Sequence, residues 1–389
     1  MRCSHAGVCG GCSLLHLSYV EQLASKEGSI RRFFDTFLPA SVKRGDLFLP
    51  VETRDGEPTG FRQKVSFVFA SDPSGHGLVM GHFRRGSNRV VGVQECPVHS
   101  NRGNQVAFAL YRHLVQAGIP AAGPALNGIL RHLIVRTSAD DREAVAMLVV
   151  TRNDKSLRKP VRALLDSSDR PDGFYININN DPGPFMVSER TVHIDGRTHV
   201  REVVGGISYL ISPSAFFQTN VRAATSLQRY VVKSVAGSDR VLDLYCGSGL
   251  FSLPLAATDV RVSGVEENRQ AIEDAEANAR LNKIPASRCR FMAARVEDRV
   301  RSVARDRWDA VILDPPRQGC TDEVLEAVFQ DMAPPRVTYV SCNPDALAAE
   351  LPGILQCGYD VDDFRAVDMF PHTDHIEAIV QLSRRSKRG

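Results

Sequence analysis

Apolar positions along the chain change rhythm near Ser212-Pro213. Before that point the pattern is mixed. Leu23, Ile30, Phe33, Phe34 and Phe37 share one helical face between Val20 and Phe37. Val65, Phe67 and Phe69 alternate, and runs over Leu78 to Phe83 and Arg89 to Val93 follow after glycine-containing turns. Period-two alternation predicts strands. Gln105 to Ala117 reads as a helix, and Leu130 to Thr137 with Ala144 to Thr151 as a strand pair about the polar turn Asp140-Asp141. Leu157 to Leu165 is expected to be helical and Gly173 to Asn179 extended, before short strands and the Gly205-Gly206 turn preceding Tyr209 to Ile211. The first half is therefore expected to be α+β with mostly antiparallel strands.

Beyond Ser212-Pro213, helix and strand signals alternate. Thr219 to Ser234, the start of Gly249 to Ala257 and Arg269 to Asn282 read as helices. Arg240 to Leu244, Arg261 to Val265, Arg290 to Ala293, Ala310 to Leu313, Val337 to Val340 and Ile376 to Leu382 read as strands. Such alternation predicts an α/β, doubly wound parallel sheet. The expected domains are 1–212 and 213–389. The basic tail Arg384 to Arg388 is expected to fray.

Composition changes this picture little. At 43% apolar and 24% charged the chain is ordinary for a soluble protein, with no apolar run of membrane-spanning length. No apolar stretch follows the first charges, so a secretory signal is not expected and the location is expected to be cytoplasmic. Charge is uneven. Residues 1–200 carry 25 Lys and Arg against 19 Asp and Glu; residues 201–389 carry 23 against 26. Arg62, Lys64, Arg84, Arg85 and Arg89 cluster in the basic half, which fits RNA or DNA docking and equally a solvated surface.

The strand Val241 to Leu244 runs into Tyr245-Cys246-Gly247-Ser248-Gly249 and then a helix. Glycines allow close backbone approach to a ligand, with helix-terminal amides behind. Glu266 ends the next strand about 20 residues on, the spacing of a carboxylate that takes ribose hydroxyls. The third glycine of a dinucleotide fingerprint is replaced by Ser252. Asp243 to Gly249 resembles instead the first motif of S-adenosylmethionine methyltransferases; a nicotinamide site or a plain tight turn are the alternatives.

Three further segments border strand-like runs: Asp314-Pro315-Pro316-Arg317, Ser341-Cys342-Asn343-Pro344, and Met369 to His372 continuing to Glu377. Ligands of parallel α/β sheets bind at the carboxyl ends of strands. A carboxylate, a thiol and a second carboxylate are thus expected on one rim. Carbon 5 of uracil is a poor nucleophile until a thiolate adds at carbon 6, and a base must later remove the carbon-5 hydrogen. Cys342 and Glu377 suit those tasks. His372 and His375 are open between polarising a substrate oxygen, orienting Glu377 and a structural role.

With these segments, Ser214-Ala215-Phe216-Phe217-Gln218-Thr219-Asn220 completes a resemblance, over nearly the whole chain, to the RNA uracil-5-methyltransferase family. The resemblance implies a Rossmann-like catalytic domain. It implies S-adenosylmethionine contacts from Gln218, Tyr245, Glu266 and Asp314, beside the turn glycine Gly247. Cys342 becomes the nucleophile and Glu377 the base. Gln218 carries no signal of its own beyond a polar residue at a helix start.

Cys3, Cys9 and Cys12, with distant Cys96, form a four-thiol set; the other five of nine cysteines are scattered. By donor chemistry the set admits an iron–sulfur cluster, zinc or no metal. The family resemblance implies a 4Fe–4S cluster, which marks the branch acting on 23S rRNA. The chain is expected to lack an N-terminal TRAM-type barrel, as in the branch named for uridine 747. The expected partner is 23S rRNA, free or in a ribosomal precursor, bound by a monomer. A flipped uridine would meet Phe61 to Lys64 and His82 to Arg85. Methylation of tRNA or of a second rRNA site, an RNA cytosine-5-methyltransferase and a non-catalytic ribosome-assembly factor are the alternatives.

Overall fold

Ser18 accepts from the amide of Glu21 while the Glu21 side chain returns to the Ser18 amide, a capping box that starts helix α1 (Tyr19–Phe34). A computed structural model of the chain describes residues 3–39, 45–51, 58–72, 77–183 and 185–386. Lys387 and Arg388 of the basic tail lie outside the described residues. Arg384 and Arg385 do not fray: their amides donate to Pro335 O and Gly358 O.

The first sheet contains β1 (Lys64–Ser71), β2 (Leu78–Phe83), β3 (Val90–Gly92), β4 (Leu130–Thr137), β5 (Ala144–Val150), β6 (Gly173–Ile178) and β7 (Thr191–Gly196). Its order is β3-β2-β1-β4-β5-β6-β7. Neighbours are antiparallel except β5 and β6, which are parallel. That exception follows from helix α3 (Arg158–Leu165), which carries the chain back across the sheet. With α2 (Asn101–Gln116) it supplies the helical side of a separate apolar core around Phe67, Leu110, Leu133 and Phe174.

A hairpin of β8 (Val200–Val204) and β9 (Ile207–Ile211) follows. Gly205 and Gly206 turn it with φ of +56° and +87°, and a Cβ on Gly205 would collide with Gln228 Oε1. Then come α4 (Val221–Ser234), β10 (Arg240–Leu244), α5 (Ser252–Ala256), β11 (Arg261–Glu266), α6 (Arg269–Leu281), β12 (Cys289–Ala293), α7 (Val296–Val303), β13 (Ala310–Leu313), α8 (Asp322–Glu326), β14 (Arg336–Ser341), α9 (Pro344–Gln356), β15 (Tyr359–Val367) and β16 (Glu377–Arg384). The second sheet runs β12-β11-β10-β13-β14-β16-β15. Apolar cores lie on both of its faces, one built on Leu242, Val311 and Tyr339, the other on Val241, Ile312 and Val340.

Two expectations need correction. The sheet is not wholly parallel: β16 runs antiparallel to both neighbours. This brings Glu377, the first residue of β16, to the rim where the parallel strands end. The boundary at 212 also differs from how the cores divide. Ile30, Phe34 and Leu47 pack into the catalytic half's core, and so does the β8–β9 hairpin. The hairpin is held by polar links: Asn278 Oδ1 accepts from Leu210 N at 2.7 Å, and Asn282 Oδ1 from Ser208 N at 2.9 Å. Burying an apolar face outweighs sequence adjacency. Among the described residues no helix is long and apolar enough to cross a membrane.

Candidate active site

The rim of the second sheet opens into a cavity of about 690 Å³. Every predicted cofactor residue lines it (Gln218, Tyr245, Gly247, Glu266 and Asp314), and so do Cys342 and Glu377.

The glycine turn is tightly specified. Tyr245 adopts φ +65°, unusual for a side-chain-bearing residue, and its amide and that of Cys246 both donate to Val265 O, at 2.9 and 3.1 Å. Gly247 (φ +51°) has open space where a Cβ would sit, and its amide donates to Glu266 Oε2 at 3.2 Å. Gly249 (φ +87°) lies against Leu253, whose Cγ a Cβ would meet at 2.9 Å. Glu266 is fixed from its other oxygen by Asn268 N at 2.8 Å. Thr219 Oγ1 and Ser248 Oγ are buried without a hydrogen-bond partner among the described residues, and both residues line the cavity. Unpartnered buried hydroxyls beside a glycine cradle fit a polar nucleotide-like ligand.

Cys342 follows β14, and Asn343 caps α9 with Pro344 in its first turn. The side chain of Asn343 donates to Arg317 O at 2.8 Å, so the Cys342 loop and the Asp314–Arg317 loop are tied together. Ser341 pairs with Ala378 across the antiparallel β14–β16 ladder. That register sets Cys342 beside Glu377. Burial, then the charges of Glu377 and Asp314, push the Cys342 thiol up to about 11, against a lowering by Arg317. Glu377 is only 4% exposed, and burial followed by Asp314 holds its pKa well above the usual carboxylate range. Asp314 is raised in turn by burial, then Asp243 and Glu266. Asp243 is pushed up to about 7 by burial, although Ser252 Oγ donates to it. Burial and neighbouring charge thus favour the protonated forms of Asp243, Asp314 and Glu377.

The two histidines separate. His372, with φ +65°, is buried outside the cavity lining. Its amide donates to Gln22 Oε1 at 2.9 Å, Leu14 N donates to its carbonyl at 2.9 Å, and its Nε2 lies 3.0 Å from Pro58 O. It locks the N-terminal arm onto the loop that leads to Glu377. His375 is exposed, lines the cavity, and its Nδ1 sits 3.4 Å from Arg317 Nη2.

The first sheet also reaches this site. Arg62, two residues before β1 begins, and Lys64, its first residue, both line the cavity. Lys64 Nζ donates to the carbonyls of Ser214 and Ala215, at 3.2 and 3.1 Å. Arg136, directly opposite Lys64 on β4 and 1% exposed, donates to the same Ala215 carbonyl at 2.6 Å. Gln63 N donates to Thr219 O at 2.8 Å. The Ser214–Asn220 segment that carries Gln218 is thus held by the buried Arg136 and the half-buried Lys64. Sequence reasoning passed over Arg136, whose one signal is a lone charge inside an apolar strand. Arg84 and Arg85 are exposed and line neither this cavity nor the second one.

That second cavity, about 40 Å³, is lined by Cys3, Cys9, Cys12 and Cys96 together with His82, His99 and Arg62. The arm docks on β2, Gly10 N donating to Phe83 O at 2.9 Å. Burial pushes Cys12 up to about 11 and Cys96 up to about 12. Arg62 therefore borders both cavities, and its amide donates to Val98 O at 2.8 Å, just past Cys96.

A glycine cradle, a carboxylate at the end of the following strand and a doubly wound sheet define a methyltransferase fold. Residues 188–385 match the family model described as tRNA (uracil-5-)-methyltransferase. Over its whole length the chain is 33% identical to an uncharacterized RNA methyltransferase of Geobacter sulfurreducens, covering 78% of that protein. It is 32% identical to one of Gloeobacter violaceus over 98% of the chain and 82% of the relative. The structure superimposes on the tRNA (uracil-54, C5)-methyltransferase of Pyrococcus abyssi, solved with S-adenosyl-L-homocysteine, at a TM-score of 0.79 and 28% identity, over 96% of this chain and 84% of that one. The chain belongs to the RNA uracil-5-methyltransferase family and is an S-adenosylmethionine-dependent RNA methyltransferase.

Proposed function

We propose that the protein methylates carbon 5 of a uridine in 23S rRNA, with uridine 747 as the site, and that it works in the cytoplasm as a monomer. The observation that carries the chemistry is that Cys342 and Glu377 each lie one residue from the Ser341–Ala378 pair that ends the β14–β16 ladder, both on the wall of the cofactor cavity. Bound S-adenosylmethionine supplies the methyl group and a positive sulfonium. Gln218, Tyr245, Gly247, Glu266 and Asp314 hold it, Glu266 at the ribose.

The Cys342 thiolate, its proton given up to solvent, adds to carbon 6 of the flipped base; the carbon 5–carbon 6 double bond opens and carbon 5, now nucleophilic, takes the methyl group, leaving S-adenosylhomocysteine. After methylation Glu377 takes the carbon-5 proton, the carbon 5–carbon 6 double bond re-forms, and the sulfur leaves. Burial and the neighbouring Asp314 favour the protonated form of Glu377, and burial with Glu377 favours the thiol form of Cys342. A positive charge held beside Asp314 and Glu266 would ease the repulsion on Glu377 and favour the carboxylate form that acts as a base. Arg317, already lowering the Cys342 pKa, favours the thiolate.

Cys3, Cys9, Cys12 and Cys96 suit a 4Fe–4S cluster: four soft donors from two distant segments converge on one cavity. When bound, the cluster supplies a structural staple. Methyl transfer moves no electrons, so its work is to fix the N-terminal arm and Arg62, which also faces the catalytic cavity.

A tRNA uridine is the second reading, favoured by the likeness to the Pyrococcus abyssi enzyme. Labelled S-adenosylmethionine offered with unmodified 23S rRNA and tRNA transcripts tests both, with the product located by mass spectrometry. 5-Methyluridine at a single 23S position is expected. Label confined to tRNA overturns the rRNA assignment but keeps the chemistry. Label on cytidine overturns the chemistry.

A further inference from the structure

The four-thiol cavity contains more donors than four thiols. His82, on β2, and His99, three residues after Cys96, turn their rings into it. One ring nitrogen of each lies within 4.8 Å of the other and of Cys96 Sγ. His82 Nε2 and His99 Nδ1 are buried with no hydrogen-bond partner among the described residues. A buried polar nitrogen left unpaired costs about 1–3 kcal/mol, and two side by side on one cavity wall call for a common acceptor.

The rings are held in place for that acceptor. Phe67 stacks on His82 with ring centres 5.1 Å apart and meets His99 edge-on at 5.0 Å. The two imidazoles contact each other edge to face at 5.2 Å. His99 N donates to Cys96 O at 3.0 Å, and Asn104 brackets Cys96 by accepting from its amide at 3.2 Å and donating to its carbonyl at 3.0 Å. Cys96 and His99 thus move as one rigid turn. His99 is 2% exposed, so water cannot readily serve it.

We propose that His82 and His99 are positioning residues for the iron–sulfur cluster, donating N–H hydrogen bonds to its sulfur atoms on the Cys96 side. The inference rests on the 4Fe–4S reading of the four cysteines. Sulfur bonded to iron carries negative charge and accepts such bonds, and hydrogen bonds to cluster sulfurs stabilise the more negative, reduced state and raise the reduction potential. The pair also shields the cluster from solvent. Neither ring lines the catalytic cavity, so this role is separable from methyl transfer.

The test uses the full-length protein, purified without oxygen. Iron and acid-labile sulfide are counted, and the reduction potential is measured for wild type, H82F, H99F and the donor-retaining H99Q. Both Phe variants are expected to keep four irons, to have a lower potential and to lose iron faster to a chelator in air; H99Q is expected to stay nearer wild type. Wild-type protein labelled with ¹⁵N-histidine and reduced is expected to show weak ¹⁵N hyperfine couplings, which needs no variant to fold. Full iron loading with unchanged potentials and no ¹⁵N coupling overturns the histidine role alone. Wild type without iron and sulfide overturns the cluster reading and this inference with it.

Discussion

Two cavities in this molecule hold cysteines whose thiols are raised to similar degrees, and their surroundings make them opposite kinds of site. Around Cys342, pushed to about 11, stand Glu377 and Asp314, opposed by Arg317, with Asp243 and Glu266 acting in turn on Asp314. Around Cys12 and Cys96, pushed to about 11 and about 12, stand other thiols, two imidazoles and Arg62. Burial is the first cause in each. The catalytic cavity has an excess of carboxylates, which an organic cation answers. The arm cavity has an excess of soft donors, the kind a metal takes. Under the proposed function one residue type does covalent chemistry in the first place and stapling in the second, and Arg62 borders both cavities.

The largest expected effect breaks the comparison at its root. Cys342→Ala should reduce methyl transfer by about 10⁴-fold or more, the scale of losing a catalytic nucleophile, while leaving iron content unchanged. Cys96→Ser should do the converse, losing iron and folding yield. If both variants lost iron, or neither lost activity, the two cavities would not differ as described. Glu377→Gln comes next: the adduct should form but fail to eliminate, leaving a covalent RNA–protein band on a denaturing gel and turnover too low to follow.

A third change asks how firmly the arm is tied to the catalytic loop. Lys26 on α1 and Asp368 after β15 form an ion pair at 2.6 Å with both side chains 2% exposed. Lys26→Met strands a buried carboxylate and should cost about 3–5 kcal/mol in denaturant unfolding. A loss below 1 kcal/mol would show that the α1 contact does not anchor the loop.

The smallest effect is in pH. Asp243 has its folded pKa raised from the carboxylate range to about 7, so the native state binds the extra proton. Its contribution therefore favours folding at low pH and weakens as pH rises from about 4 towards about 7. Asp314 and Glu377 are shifted in the same direction. Stabilisation by a sulfonium-bearing ligand should grow over that window relative to its uncharged homocysteine counterpart. Equal thermal shifts from the two ligands at every pH would contradict the cation argument.

Much of this was legible in the chain. Val65, Phe67 and Phe69 alternate as β1 does, and Leu130–Thr137 and Ala144–Val150 form the expected strand pair about Asp140-Asp141. The glycine turn, Asp314, Cys342 and Glu377 all reach one rim because short motifs report strand ends. What stayed hidden has physical reasons. In β15 the residues Asp360, Asp362 and Asp363 break up the apolar pattern, and without β15 the antiparallel direction of β16 cannot be foreseen. Helix α9 carries Pro352 within it and buries only Leu347, Leu351 and Ile354, a weak amphipathic signal. Arg136, His82 and His99 gain their meaning from contacts with distant segments, which a single sequence does not display. Gln218 was readable through family resemblance alone, because it depends on Lys64 and Arg136 gripping the segment before it.

The most direct test of the central claim is a trapping experiment with wild-type protein, S-adenosylmethionine and RNA carrying 5-fluorouridine. Fluorine at carbon 5 leaves Glu377 no proton to remove, so the adduct persists and its peptide can be sequenced by mass spectrometry. The expected result is a methylated fluorouridine joined through carbon 6 to Cys342. A nucleotide on any other cysteine, or no adduct from protein that methylates ordinary uridine RNA, would contradict the assignment of Cys342 as the nucleophile.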